Sequence, residues 1–275
     1  MVGNPIAHSL SPVIHNAWIR AAELDAAYFA AEPGPGGFRE FVRTPGPVPG
    51  LGRADFRGLN VTAPFKGEAL AVADLATRRA ERAGAANLLI FDSGGRILAD
   101  NTDGEGLLAA FSEQARGFDP HAGPAVILGA GGAARGAVAA FLDAGAPAVR
   151  LVNRSADRPA TLAAEFGEAV TVVEPEALTA ALADANAIIN AARVAPDIPL
   201  ERVPASAVIM DMVYRPLITP FLARAQAAGL RTVDGLAMLI GQARPSFTAF
   251  FEIEPPDVDV RAKALEFLAL EASGR

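Results

Sequence analysis

The chain contains no cysteine, which excludes disulfides, thiolate catalysis and cysteine-ligated zinc. Histidine is scarce: His8, His15 and His121 are the only three, and no HExxH pair is present. A metal site is therefore not expected. No stretch reaches the roughly 18 uninterrupted apolar residues that a membrane-spanning helix requires. The most apolar segment, 180–192, is broken by Asp184, Asn186 and Asn190. No basic segment followed by an apolar run opens the sequence, so no signal peptide is read and a cytoplasmic enzyme is the expectation. A net charge of −7 without any basic run argues against a nucleic-acid partner.

Lysine is nearly missing too. Of 24 Lys plus Arg, only Lys66 and Lys263 are lysines. Arginine stays charged, whereas a lysine amine can exchange a proton once its surroundings shift its pKa. Lys66 ends the segment NVTAPFK, behind a proline and two hydrogen-bonding side chains. It is either a proton-transfer residue or a chance survivor on a helix surface.

The 275 residues suit one large or two smaller domains, and a 51 % hydrophobic, 20 % charged composition suits a globular protein. Ser11-Pro12 reads as a helix start, with Ser11 as N-cap; Val13, Ile14, Ala17, Trp18 and Ala21 form the apolar face. Trp18 on that face is most simply core. Residues 27–31 read as a strand, 33–37 as a loop, and 44–52 as too turn-rich for an element. Residues 57–61 and 86–91 read as strands, and a turn at 92–96 leads into a short partner strand. From 125 to 233, short apolar strands (AVILG, AVRLV, VTVV, AIIN, AVIM, LRTV) alternate with alanine-rich helices. That rhythm indicates βαβ units on a parallel sheet. Helices are expected at 236–251 and 258–271. The expected fold is a two-domain α/β protein, with 1–102 and a returning 236–275 forming one domain and 103–235 the other.

Within the second domain, VILGAGGAAR places Gly129-Ala130-Gly131-Gly132-Ala133-Ala134 between an apolar strand and a helix, matching G-x-G-x-x-A. The glycines permit a tight turn and close backbone approach to a pyrophosphate, whose charge the first-turn N–H groups meet. At the next strand end stands Asn153-Arg154-Ser155 rather than the acidic residue of an NAD site. Arg154 can bind a 2′-phosphate through its planar fork, so NADP is the expected cofactor.

Polar clusters fill the first domain and the segments after the sheet: NPIAHSLSP at 4–12, NVTAPFK at 60–66, GAANLL at 84–89, DNTDG at 100–104, DMVYRPL at 211–217 and DGLAMLIGQA at 234–243. In this order, with GAGGAAR and NRS, they resemble the shikimate dehydrogenase family. The resemblance covers nearly the whole chain. It implies an open α/β substrate-binding domain, a Rossmann-type NADP domain and a cleft between them. It also implies reversible reduction of 3-dehydroshikimate to shikimate by NADPH, a step of aromatic amino acid biosynthesis, in a monomer or homodimer.

Carried over residue by residue, the resemblance gives Ser9 and Ser11 to the substrate carboxylate. Asn60, Thr62, Asn87, Asp103 and Gln242 go to the ring hydroxyls, and Tyr214 lies near the carboxylate. Lys66 and Asp103 become the catalytic pair, and Gly235 joins the cofactor residues. Physically, a small polyhydroxylated acid requires several short directional partners, and Ser, Thr, Asn and Gln supply them. Hydride transfer to a ketone leaves negative charge on oxygen, which a lysine can stabilise and protonate. His8, in a turn between Pro5 and Ser9, reads as structural rather than catalytic.

Three departures stand out. Only Met1-Val2 precede Gly3, where the family has a longer strand. Leu88 replaces a threonine beside Asn87. The segment 191–196, AARVAP, is shorter than the family's loop and lacks its Thr and Gly. Quinate or another cyclohexane carboxylate as substrate, and a catalytically weak nucleotide-binding paralogue, are the alternatives.

Overall fold

The computed structural model describes residues 1–34, 36–43, 56–154 and 157–273, so the turn-rich segment expected at 44–52 lies outside it. The chain divides into two compact units, Met1–Thr102 with Gln242–Arg275, and Asp103–Gly241. The return to the first unit thus falls at Gln242 rather than at 236, inside a helix.

In the first unit, α1 (Ser11–Ala21) buries Ile14, Ala17 and Trp18. Its N-cap is Leu10, not Ser11; Ser11 is the first helical residue, and its backbone N–H is bound by Ser9 Oγ at 3.2 Å. Helix α2 spans Phe38–Arg43. The strand expected at 27–31 is not formed. Only Ala31 pairs, through a single parallel bridge to Val2, which also bridges Val61 on its other side. The segment it pairs with contributes one residue, too little for a ladder.

Next come β1 (Gly58–Asn60), α3 (Lys66–Val72), β2 (Leu75–Ala76), α4 (Arg78–Ala83), β3 (Leu88–Phe91) and β4 (Ile97–Asp100). They build a four-stranded sheet in the order β1-β3-β4-β2. The β1–β3 and β3–β4 pairs are antiparallel, and β2–β4 is parallel. The β3–β4 turn is fixed by the Asp92 carboxylate, which accepts from the backbone N–H of Arg96 at 2.8 Å. Val2, Phe38, Val61, Phe65, Leu89 and Ile97 pack into one core against this sheet.

The second unit opens with α5 (Asp103–Gln114) and continues as β5 (Ala125–Leu128), α6 (Gly132–Asp143), β6 (Val149–Val152), α7 (Asp157–Phe166), β7 (Val170–Val172), α8 (Leu178–Leu182), β8 (Ala187–Asn190), β9 (Val208–Asp211), α9 (Pro220–Ala227) and β10 (Arg231–Val233). All six strands are parallel, in the order β10-β9-β8-β5-β6-β7. Counted within the unit this is 3-2-1-4-5-6, the doubly wound dinucleotide-binding order. The central strands β5, β8 and β9 are buried at every residue. Two separate cores, one with Phe111, Ile127, Phe141 and Ile189 and one with Leu128, Ile188, Ile209 and Leu222, explain why they read as unbroken apolar runs.

Helix α10 (Gly235–Phe251) carries Pro245 in its interior, and α11 (Val260–Ala272) packs on α1. Trp18 is fully buried, edge-on to Phe247 at 5.6 Å. Its reading as core holds.

Candidate functional site

In the first unit the amides of Asn60, Asn87 and Gln242 meet. Asn60 ends β1, Asn87 precedes β3, and Gln242 comes from α10. Asn87 Nδ2 donates to Gln242 Oε1 at 3.2 Å and to Thr102 Oγ1 at 3.0 Å, while its Oδ1 accepts from the Thr102 N–H at 2.8 Å. Thr102 Oγ1 donates to the Gln242 carbonyl at 3.0 Å. Asn60 Nδ2 donates to Ser246 Oγ at 2.9 Å and to the Asn87 carbonyl at 3.2 Å, and its Oδ1 accepts from the Tyr28 hydroxyl at 2.7 Å. Both amide hydrogens of Asn60 are therefore used inside the unit, leaving it one acceptor position. These partners fix which way each amide points.

Thr102, Ser246 and Tyr28 were not among the residues singled out from sequence. Ser246 could have been, because it lies four residues beyond Gln242 on the same helical face and its hydroxyl donates to the Gln242 carbonyl at 3.1 Å. Thr102 stands next to Asp103 in DNTDG. Nothing in the sequence signals Tyr28. Its ring stacks on His15 at 4.1 Å, and burial pushes its phenol well above the ordinary range. His15 is itself buried, and both ring nitrogens lack a hydrogen-bond partner. Burial, and secondarily the charge of the amino terminus, lowers its pKa to about 3, so it stays neutral.

The NVTAPFK segment leaves β1 in a turn closed by the Phe65 N–H on the Thr62 carbonyl at 3.0 Å. Thr62 and Lys66 are half-buried, and Lys66 opens α3. The Lys66 carbonyl accepts from the Ala86 N–H at 2.9 Å, which ties this segment to the one that carries Asn87. Ser9 and Ser11 adjoin one another; Ser11 is buried and Ser9 half-buried. His8 is exposed, with Nδ1 3.9 Å from Glu271. Leu88 is buried in β3, so the missing hydroxyl lies in the interior.

Just before α5, Asp100 is clamped by Arg79 through both carboxylate oxygens, and it accepts from Thr77 Oγ1 and the Asn101 N–H as well. Burial opposes its ionisation, but these bonds together outweigh it and hold the carboxyl below its ordinary pKa.

In the second unit, Gly129 follows β5 with φ +117°, a conformation that L side chains rarely adopt. A Cβ there would sit 3.3 Å from the Ala192 nitrogen. At Gly131 and Gly132 a Cβ would meet nothing within 4 Å. Gly131, Gly132 and Ala133 are exposed, and α6 has no side-chain N-cap. The first-turn N–H groups of a twelve-residue helix thus face an open, glycine-lined approach, which fits a pyrophosphate. Ala130 is half-buried and Ala134 fully buried against the sheet.

Past β6, Asn153 is half-buried and Arg154 exposed; Ser155 lies outside the described residues. Asp103 opens α5, half-buried. Tyr214 is half-buried in the segment after β9, its ring 6.0 Å from the Arg215 guanidinium carbon. A Cβ on Gly235 would come within 2.5 Å of the Met212 carbonyl oxygen, so the bare backbone there serves close packing. Among the described residues, no group of three or more His, Asp or Glu could hold a metal ion, and no helix is long and apolar enough to cross a membrane.

A doubly wound sheet with an open glycine loop, joined to a smaller α/β unit carrying a cluster of three amides, defines a two-domain dinucleotide-binding α/β protein. Residues 1–89 match the family described as the shikimate dehydrogenase substrate binding domain, and residues 114–219 match shikimate / quinate 5-dehydrogenase. The chain belongs to the shikimate dehydrogenase family. It is 55 % identical over 273 residues to a shikimate dehydrogenase (NADP(+)) of Caulobacter vibrioides, covering 97 % of this chain and 94 % of that one. A Cereibacter sphaeroides shikimate dehydrogenase (NADP(+)) is 42 % identical over 272 residues, 96 % of this chain and 95 % of that one. The crystal structure of Thermus thermophilus shikimate 5-dehydrogenase in complex with NADP(H) and shikimate superposes with a TM-score of 0.84 at 34 % identity, covering 96 % of this chain and 97 % of the other.

Proposed function

We propose that this chain is an NADP-dependent oxidoreductase that interconverts 3-dehydroshikimate and shikimate in the cytoplasm, as a monomer or homodimer. What carries the reading is one combination, found in a chain of this family: an open glycine loop ahead of α6, and an amide cluster in which Asn60 and Asn87 are buried and Gln242 is half-buried. The exposed Arg154, at the strand end where an NAD site would place a carboxylate, favours NADP over NAD.

NADPH, when bound, supplies the hydride. The chain supplies the rest. Lys66 gives its proton to the carbonyl oxygen as negative charge develops there, and Asp103 is the other member of the catalytic pair. Ser9 and Ser11 take the substrate carboxylate, with Tyr214 beside it. Thr62, Asn87 and Gln242 bind ring hydroxyls. Asn60 contributes one acceptor and otherwise fixes the cluster. Gly129 to Ala134, with Asn153, Arg154, Ser155 and Gly235, form the cofactor side.

A matrix of shikimate and quinate against NADP and NAD, read by nicotinamide absorbance, tests this. The expected result is the highest kcat/KM with shikimate and NADP. Preference for quinate would move the substrate, and NADP binding without turnover of either acid would make the chain a binding paralogue.

A further inference from the structure

We infer that Asp211 is a positioning residue that sets two loops at the carboxyl edge of the six-stranded sheet, one flanking the glycine loop and the other carrying Tyr214. Asp211 ends β9 and is 2 % exposed. Its Oδ1 accepts from Asn190 Nδ2 at 2.8 Å and from the Val213 N–H at 3.0 Å; its Oδ2 accepts from Thr219 Oγ1 at 2.6 Å. All three donors are neutral. A buried carboxylate without a cation is costly, so the position calls for something an amide lacks. Three donors converge there, and an acceptor-only carboxylate takes all three; asparagine would turn its NH₂ toward the Asn190 amide or the Val213 N–H, or else reverse the Thr219 bond and release that hydroxyl's proton from it.

Each donor belongs to a different stretch of backbone. Asn190, fully buried at the end of β8, uses the rest of its amide on the turn that follows: Oδ1 accepts from the Ala192 N–H and Nδ2 donates to the Ala192 carbonyl, both at 3.1 Å. Ala191 and Ala192 are the backbone that a Cβ on Gly129 would meet, so this arm ends against the glycine loop. The other arm runs through Val213 and Thr219 and brackets the segment with Tyr214 between them. Thr219 also caps α9 by accepting from the Leu222 N–H. The acceptor-only carboxylate thereby dictates the orientation of the Asn190 amide and the anchoring of both loops. Sequence reading left Asp211 as the first letter of DMVYRPL, with no role.

The arms are separable by experiment. This rests on the proposed function only for the Tyr214 arm. Asn190→Ala removes all three side-chain bonds of this arm, so it should raise the NADPH dissociation constant, read by nicotinamide fluorescence, by at least roughly 5- to 30-fold, the range for a single lost buried hydrogen bond. The shikimate KM at saturating cofactor should change less than about 2-fold, inside the spread of surface substitutions. Thr219→Val should do the reverse, and Thr219→Ser, which keeps the hydroxyl, should restore the wild-type values. If Asn190→Ala does not fold, Asn190→Ser carries the same expectation. Both constants rising together in each variant, neither moving, or no rescue by serine would overturn the inference. A wild-type enzyme that turns over no shikimate would sink the proposed function instead; NADPH titration of the Asn190 variants would then decide alone.

Discussion

Asn60→Ala removes two donors and one acceptor from the first unit, yet it strands a single partner. Ser246 Oγ keeps the Gln242 carbonyl, and the Asn87 carbonyl keeps the Val61 N–H at 2.8 Å. The Tyr28 hydroxyl loses its acceptor. A stranded buried hydroxyl costs about 1–3 kcal/mol, and the lost amide bonds bring the expected total to about 2–4 kcal/mol. The assay is urea unfolding followed by the fluorescence of Trp18, which lies in the same unit and is the chain's one tryptophan. Tyr28→Phe alone should cost about 1 kcal/mol, and the double variant should cost less than the sum, because no hydroxyl is then left stranded. Burial holds the Tyr28 phenol above its ordinary pKa, so the coupling should persist into alkaline buffer. A near-wild-type urea midpoint with a large rise in shikimate KM would refute this account. The Asn60 amide would then face a ligand rather than the interior.

Three further outcomes are expected. Lys66→Arg keeps the charge but loses the exchangeable proton, so kcat should fall by about 10²–10⁴ while NADPH binding survives; near-normal kcat across the pH range would leave Lys66 an electrostatic anchor. Arg154→Ala should weaken NADP by about 10- to 150-fold with little effect on NAD, measured by titration of both cofactors; equal losses would mark a role in the fold. Asp100, held below its ordinary pKa, stabilises the native state above the carboxylate range near pH 4, and that contribution is lost as pH falls through its lower native value. Arg79→Ala removes two of the bonds and the charge that favour the carboxylate against burial, so the acid-unfolding midpoint, followed by Trp18 fluorescence, should move to higher pH; an unchanged midpoint would show that the clamp does not hold Asp100.

The second unit was legible because its physics is local. A strand covered on both faces reads as an unbroken apolar run, and AVIL, AIIN and VIMD are buried at every residue. The glycine loop was legible because a φ of +117° at Gly129 restricts the residue type. The first unit was harder. Residues 27–31 have the composition of a strand, but strand formation needs a partner ladder, and Val2 supplies one bridge. Ser11 has an N-cap's chemistry, but Leu10 holds the position and Ser9 bonds the Ser11 N–H. The amide cluster joins residues as far apart as Asn60 and Ser246, a pairing that no local spacing encodes. The three neutral donors around Asp211 are hidden for the same reason.

The division of the first unit between the two ends of the chain has a consequence for biosynthesis. As the chain leaves the ribosome, the second unit, Asp103–Gly241, is synthesised in full before Gln242 and Ser246 exist. Asn60 and Asn87 are made early, together with Tyr28 and Thr102, but must wait for the last segment to bring Ser246 and Gln242. The amide cluster of the first unit is therefore among the last parts of the molecule to be completed. A ribosome that stalls or terminates at Gly241 would release a chain that has every strand of the dinucleotide-binding sheet and none of α11, the helix that packs on α1. Late truncation in this gene would thus leave the first unit without its closing segment, Gln242–Arg275, while leaving the dinucleotide-binding sheet's own sequence intact.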